Sequence, residues 1–443
     1  MVLSTLLAIS RWLRYSPSYT NDSWEYLRLG HAISQGTFFA ADNGFRTPLF
    51  PLYLALAGNN PQLVFVGHLA LGILTSLLIF HIFSQITGRP PLGVAVAALY
   101  NLNPSTALFE TRVLTETLTT FFVTLGTFFA VRACCDRSRF VREMISSGSA
   151  FSLASLTRPE YHLLPLIAAV VVAILATRSE REPQARRRTL QGVAGGLIPF
   201  VVLVLGWSTV NYVRFGWFTV STLTGYHLTQ YSGPYLKDAP VQYKKLTDIY
   251  LRYQEVQVRE TGRHLDTFWQ ARPELLKATS MTDAQISRLF IRISLPILVA
   301  HPSGYLAPVA RSLRVFWRPP VYARACNLGD LRQALRGVLR GRAWWWDRLF
   351  AYAYLPFDLA YGLAVIGPLF VQRWRWLLWS PGMLVVNTVV LYTALITSLI
   401  EPEDNNRFKM PVESLILGGA VTVFYLVSSD LSGWRRRGLP REA

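Results

Sequence analysis

A few acidic and basic side chains stand out by type and setting. Asp22 follows Asn21 and precedes the run SWEYLRLGHAI, the position of a helix N-cap, and capping alone would account for it. Glu116 sits about one turn inside an apolar stretch, where an ionisable group is costly and normally pairs or serves a site. An ion pair with Arg112, four residues earlier, is its structural alternative. Arg46 lies in a turn before Pro48 and Pro51, Arg158 in SLTRPEYHLLP beside Glu160, and Arg407 and Lys409 in EPEDNNRFKMPVE. A guanidinium presents a planar fork that matches phosphate oxygens, and an ammonium supplies a compact charge, so these cations together suit an anionic headgroup at a membrane surface. Each taken singly is better explained as a snorkelling anchor or a loop salt bridge. Asp358, well inside the stretch 349–372, has no partner legible in the sequence and stays outside this set. His227 and His301 are isolated and read as structural.

The elements that would position these groups are membrane helices. The 443 residues are 51% hydrophobic and only 16% charged, against ~25% charged in ordinary soluble domains. A bilayer core of ~30 Å needs ~20 mostly apolar helical residues per crossing, because no water is there to satisfy the backbone. Segments 62–86, 190–213 and 376–400 contain no Asp, Glu, Lys or Arg. Further spans are expected at 92–109, 113–131, 161–176, 349–372 and 411–429, with a shorter one near 145–157. The start, MVLSTLLAISRWL, lacks a basic lead and a small-residue cleavage site, so it reads as a short first crossing rather than a secretory signal. The expected fold is all-α and polytopic, with about ten crossings by that length criterion.

Charge gives an independent test of topology. Arg89, the cluster Arg132 to Arg142, RSEREPQARRR, Arg373 with Arg375, and the tail WRRRGLPRE fall on alternate loops, and the positive-inside rule makes them cytoplasmic. Residues 15–61, 102–112, 158–160, 214–345 and 401–410 then lie on the outer face, and this face holds every residue of the candidate set outside the spans. The net charge of +18 follows from these loops and anionic lipid headgroups, so nucleic acid is not a partner. Cys134, Cys135 and Cys326 have neither metal-site nor disulfide-framework spacing. Three regions follow: an N-terminal transmembrane module at 1–213 carrying the first catalytic loop, an extracytoplasmic and interfacial segment at 214–348, and C-terminal helices with a cytoplasmic tail at 349–443. Within the middle region, 289–317 is expected along the interface, with a re-entrant hairpin as the alternative, and Trp344 to Trp346 suit the headgroup layer.

The run DSWEYLRLGHAISQGTFFAADNGFRTPLFPLYLAL resembles the first extracytoplasmic loop of GT-C superfamily glycosyltransferases, among them dolichyl-phosphate-mannose protein mannosyltransferases and bacterial aminoarabinose transferases acting on lipid A. LTETLTTFF, LTRPEYHLLPL, VNYVRFGWFTVSTLTGYHL and NRFKMPVESLIL resemble the same superfamily in the same order. The resemblance implies a GT-C type fold with interfacial helices. It also implies transfer of a sugar from a polyprenyl-phosphate donor to a glycan, lipid or protein acceptor at the outer face of a bacterial plasma membrane. It makes Asp22 the acidic catalytic residue of the first loop, Glu116 an active-site acid of the second, and Arg46, Arg158, Arg407 and Lys409 donor-phosphate contacts. Two features depart from the pattern: the first crossing is short, and Ser23 stands where the protein mannosyltransferases carry a second acid.

The chemistry is coherent with that reading. An acceptor hydroxyl is a poor nucleophile, so a carboxylate must take its proton as it attacks the anomeric carbon, the role expected of Asp22. The departing phosphate needs preorganised cations, or a divalent ion such as Mg or Mn held by Asp22 and Glu116. Direct displacement inverts the anomeric centre; a covalent intermediate would need a second carboxylate. A transporter or flippase of a lipid-linked glycan, or a non-catalytic subunit of a glycan-assembly complex, is the competing reading, and a transporter predicts polar groups spread through the spans and paired halves.

Overall fold

The computed structural model describes residues 1–178, 183–262, 267–318, 353–402 and 405–437. Among these the chain is helical throughout, and its extended pairing is limited to one bridge between Ser18 and Arg112. Six helices are long and apolar enough to cross a membrane: Pro61–Thr87, Glu116–Cys135, Pro159–Thr177, Pro183–Phe215, Pro381–Ile400 and Asn405–Ser429. Three bent pairs bring the total to as many as nine. The helices keep their apolar side chains on both sides: Ile79, Phe83, Val123, Val131, Val386, Val389 and Leu415 form a shared core, while Leu63, Val66, Val170, Ile198, Val202 and Leu363 face outward. A water-facing helix would carry polar residues there, and a lipid-facing one needs apolar ones.

The bends are where hydropathy alone misjudges a span. The expected crossing at 92–109 is broken into Pro90–Leu102 and Pro104–Glu110, 57° apart. Asn103 leaves the helical region and caps the second piece through Ser105 N, and Pro104 cannot donate to the preceding turn. Residues 289–317 form Asp283–Ala300 and Pro302–Phe316 at 98°, broken at His301 before Pro302. Span 349–372 becomes Leu355–Phe370 followed by Gln372–Leu378 at 117°. The first helix, Val2–Arg14, has 13 residues, and the helix Phe140–Thr157 packs between its neighbours without the apolarity of a crossing. Trp344 to Trp346 and Cys326 lie outside the described residues.

Helix direction sorts the polar groups by end. Glu116 opens the helix that finishes at Cys135 beside the Arg137–Arg142 cluster, and Pro159–Thr177 runs from Arg158 toward the basic stretch before Pro183. Arg407 lies at the start of Asn405–Ser429, whose far end precedes WRRR. The acidic set and the basic loops therefore occupy opposite ends of the bundle. Capping the acidic end is a helical layer between 221 and 300 with its own apolar core of Leu223, Tyr226, Leu246, Tyr250, Phe268 and Phe290. Phe45 of the first loop inserts into this core, edge-on to Tyr226 and Trp269.

Candidate active site

Hydrogen bonds at three places bring the first loop to the helix ends. Ser18 N donates to Thr111 O at 2.8 Å and Val113 N to Ser18 O at 3.1 Å, which stitches the strand before Asp22 to the turn before Glu116. Buried Thr47 donates through Oγ1 to Thr157 O at 2.9 Å, setting Arg46 beside Arg158. Thr222 N donates to Gly44 O at 2.9 Å and Ser221 Oγ to Phe45 O at 2.8 Å, fixing the same loop to the layer above. Gly44 is required there: its φ is +79°, and a Cβ would stand 2.8 Å from Phe215 and Thr222. Arg407 is placed by Asn405, which donates to Ser398 Oγ at 2.8 Å and to Ser312 O at 3.3 Å.

The helix Asn21–Ser34 is capped by Thr20, whose side chain and that of Ser23 complete a capping box. Asp22 is therefore not the cap, and its carboxylate is available to the site. Oδ1 accepts from Arg46 Nη2 at 2.7 Å and Oδ2 from Arg407 Nη1 at 3.2 Å. Arg407 Nε bonds Glu116 Oε1, which also takes Arg158 Nη1 at 3.2 Å. Arg158 Nε reaches Glu160, and Arg46 Nε reaches Glu25 at 3.0 Å. The result is one alternating chain of charge, Glu25–Arg46–Asp22–Arg407–Glu116–Arg158–Glu160, drawn from five separate segments. Glu116 begins its helix, so it shares no helical face with Arg112, and its charge is met by Arg158 and Arg407 instead. Aromatic faces line the cations: Tyr26 under Arg46 at 4.9 Å and Phe408 under Arg158 at 4.3 Å.

Exposure separates the roles open to these acids. The Asp22 side chain is 34% exposed and that of Glu25 21%, whereas Glu116 is fully enclosed. Burial would raise the Asp22 carboxyl, but Arg46 and Arg407 outweigh it and hold it down at about 2. Asp22 is thus the ionised carboxylate that a bound molecule can meet, and Glu116 can act only through the guanidiniums it holds. Glu25 and Tyr26 were not singled out from the sequence. Their signal is there, at three and four residues beyond Asp22 on the same helical face.

Lys409 is not brought to this group. Its ammonium is fully buried and paired with Asp358 at 2.8 Å and Glu413 at 3.1 Å, with Asn103 beside Glu413 at 3.5 Å. Arg407 lies in the helix Asn405–Phe408 and Lys409 just past its end, and two positions along a helical path turn a side chain by roughly 200°, to the opposite side. Asp358 thereby gains the partner that its buried position demands. Arg11 of the first helix makes a comparable buried pair with Glu110 at 2.6 Å. His301 bonds Asp238 at 3.1 Å and stacks on Tyr235, a structural role. His227 stands within the field of Glu160, Arg46 and Asp22, and burial pushes its imidazole below the usual value, so it is neutral at pH 7.

Asp22 and Glu116, the carboxylates expected to hold a divalent ion, share a guanidinium in this structure. Arg407 bridges Asp22 and Glu116, so an ion held by both carboxylates would take the place of that guanidinium. Among the described residues, no group of three or more His, Cys, Asp or Glu is disposed to hold a metal.

Residues 49–207 match the family model of dolichyl-phosphate-mannose-protein mannosyltransferases. The matched stretch contains Glu116, Arg158 and Glu160 and leaves Asp22, Arg46 and Arg407 outside. No curated protein sequence matches the chain. The crystal structure of ArnT from Cupriavidus metallidurans bound to undecaprenyl phosphate is similar at 14% identity and a TM-score of 0.37, covering 100% of this chain and 81% of that one. Among the described residues the chain is all-α, with six to nine helices long and apolar enough to cross a membrane, and its residues 49–207 are similar to the dolichyl-phosphate-mannose-protein mannosyltransferase family.

Proposed function

We propose that this protein transfers a sugar from a polyprenyl-phosphate-linked donor to a glycan, lipid or protein acceptor at the outer face of a bacterial plasma membrane. The observation that carries this reading is the shared guanidinium of Arg407 between the accessible Asp22 and the enclosed Glu116. An ionised carboxylate and a guanidinium in direct contact at one end of the bundle supply the two groups the reaction needs, a base and a cation for phosphate. The basic loops at the opposite end support an outward-facing site by the positive-inside rule.

In the proposed reaction the acceptor hydroxyl attacks the anomeric carbon and its proton passes to Asp22. The carbon–oxygen bond to phosphate breaks, and the electron pair leaves on the phosphate oxygen, where Arg407, Arg46 and Arg158 are the available cations. These groups are preorganised by their carboxylate partners, so little reorganisation accompanies the charge shift. Direct displacement gives inversion. Purified protein in lipid nanodiscs, offered a panel of polyprenyl-phosphate sugars, is expected to release or transfer sugar from at least one. Inertness toward the whole panel in the presence of lipid, glycan and peptide acceptors would overturn the reading.

A further inference from the structure

The linked side chains at the site comprise four carboxylates and three guanidiniums. Neutral His227 adds no charge. Each of these guanidiniums is already bonded to a carboxylate, so an anionic lipid phosphate must compete with a carboxylate for its cation, and like charges a few ångströms apart repel in a partly enclosed site. A second tension concerns the base. A carboxylate clamped by two guanidiniums is a poor proton acceptor, since Brønsted behaviour rewards a base whose affinity for protons lies nearer the working pH.

One exchange relieves both. Of the three ion pairs Arg46–Asp22, Asp22–Arg407 and Arg407–Glu116, the middle one is the longest, 3.2 Å, against 2.7 Å for Asp22 with Arg46 and a tighter contact between Arg407 and Glu116. It also lies on the side of Arg407 that faces the accessible carboxylate, while the Glu116 side is sealed. Resting on the glycosyl-transfer reading above, we propose that the donor phosphate replaces Asp22 on Arg407, so that binding of the donor unmasks the base. Glu116 is then the positioning residue that keeps the guanidinium in place when Asp22 lets go, and Glu25 does the same for Arg46. With one guanidinium lost, the Asp22 carboxyl climbs from about 2 toward its ordinary 3.8, and the acceptor proton has a better destination.

The depression of Asp22 is divided between two guanidiniums, so freeing Arg407 from it is worth about three- to tenfold in phosphate affinity after solvent screening. The test measures binding of a polyprenyl monophosphate to the full chain in nanodiscs. Asp22→Asn is expected to bind the lipid about three- to tenfold tighter than the unsubstituted chain; Asp22→Ser gives the same readout should the first variant not fold. Arg407→Gln is expected to weaken binding, and adding Asp22→Asn to it should bring no gain. Unchanged or weaker binding by the Asp22 variants, with normal binding by the parent, overturns the exchange and leaves the transferase reading standing. No binding by the parent removes the transferase reading itself. In the unsubstituted chain the lipid-induced infrared difference spectrum should show one carboxylate leaving a guanidinium pair, and its absence overturns the exchange whatever the variants do.

Discussion

Glu116→Gln is the substitution whose cost follows most directly from the site. The Glu116 side chain has no solvent exposure, and its Oε1 takes both Arg158 and Arg407. Neutralising it leaves Arg158 with Glu160 and Arg407 with Asp22, two cations in an enclosed space that has lost its central anion. Removing one partner of a buried pair typically costs about 3–5 kcal/mol. Glutamine keeps the shape and one acceptor oxygen, so the lower end, about 3 kcal/mol, is expected here. Glu25→Gln is the comparison, since its side chain keeps 21% exposure where Glu116 has none, and a partly solvated pair is expected to cost less, about 1 kcal/mol. Thermal unfolding in nanodiscs would show Glu116→Gln well below the parent and Glu25→Gln close to it, and transfer would fall with Glu116→Gln because Arg407 loses its anchor. Equal melting of the two variants, with transfer intact in Glu116→Gln, would refute the claim that Glu116 organises the guanidiniums.

Other perturbations probe separate parts of the account. Thr47→Val deletes the bond that ties the Arg46 loop to Thr157 O; a loss of about 1 kcal/mol in stability and a fall in kcat larger than any rise in KM is expected from melting curves and steady-state kinetics. Lys409→Met leaves Asp358 and Glu413 buried together without their cation, which should cost about 3–5 kcal/mol and lower the yield of folded protein, read by size-exclusion profile and melting. The carboxyl of Asp22 is depressed in the folded state, so its contribution to stability is full above its ordinary value of 3.8 and disappears as pH falls through about 2. The stability difference between the parent and Asp22→Asn should accordingly be constant from pH 7 down to about 4 and close between about 4 and 2.

Hydropathy and charge made the membrane class and the bundle's two ends legible, because both are set by local composition and by the repeated need to satisfy backbone groups in lipid. The charge pattern of the loops put Asp22, Arg46, Arg158 and Arg407 on one face of the membrane with Glu116 one turn below it, but which carboxylate meets which guanidinium was beyond any spacing rule, since the contacts join residues as far apart as 22 and 407. Lys409 failed the expectation for a local reason: two residues beyond Arg407, at the end of the same short helix, a side chain points to the opposite side. Its partner Asp358 is 51 positions away, which no spacing rule reaches. The cap of the first-loop helix was misassigned to Asp22 because Thr20 pairs with Ser23 rather than with the usual acid or amide at that position. The bends at Asn103–Pro104 and His301–Pro302 were written in the prolines, yet a hydropathy window averages across them.

The most direct test of the central claim is a single-turnover measurement with saturating donor on the parent chain and Asp22→Asn. If Asp22 takes the acceptor proton, the variant holds the polyprenyl-phosphate sugar at least as well as the parent while its transfer step slows by about 10²–10⁴-fold. Transfer at the parental rate by a folded, donor-bound Asp22→Asn would contradict the account.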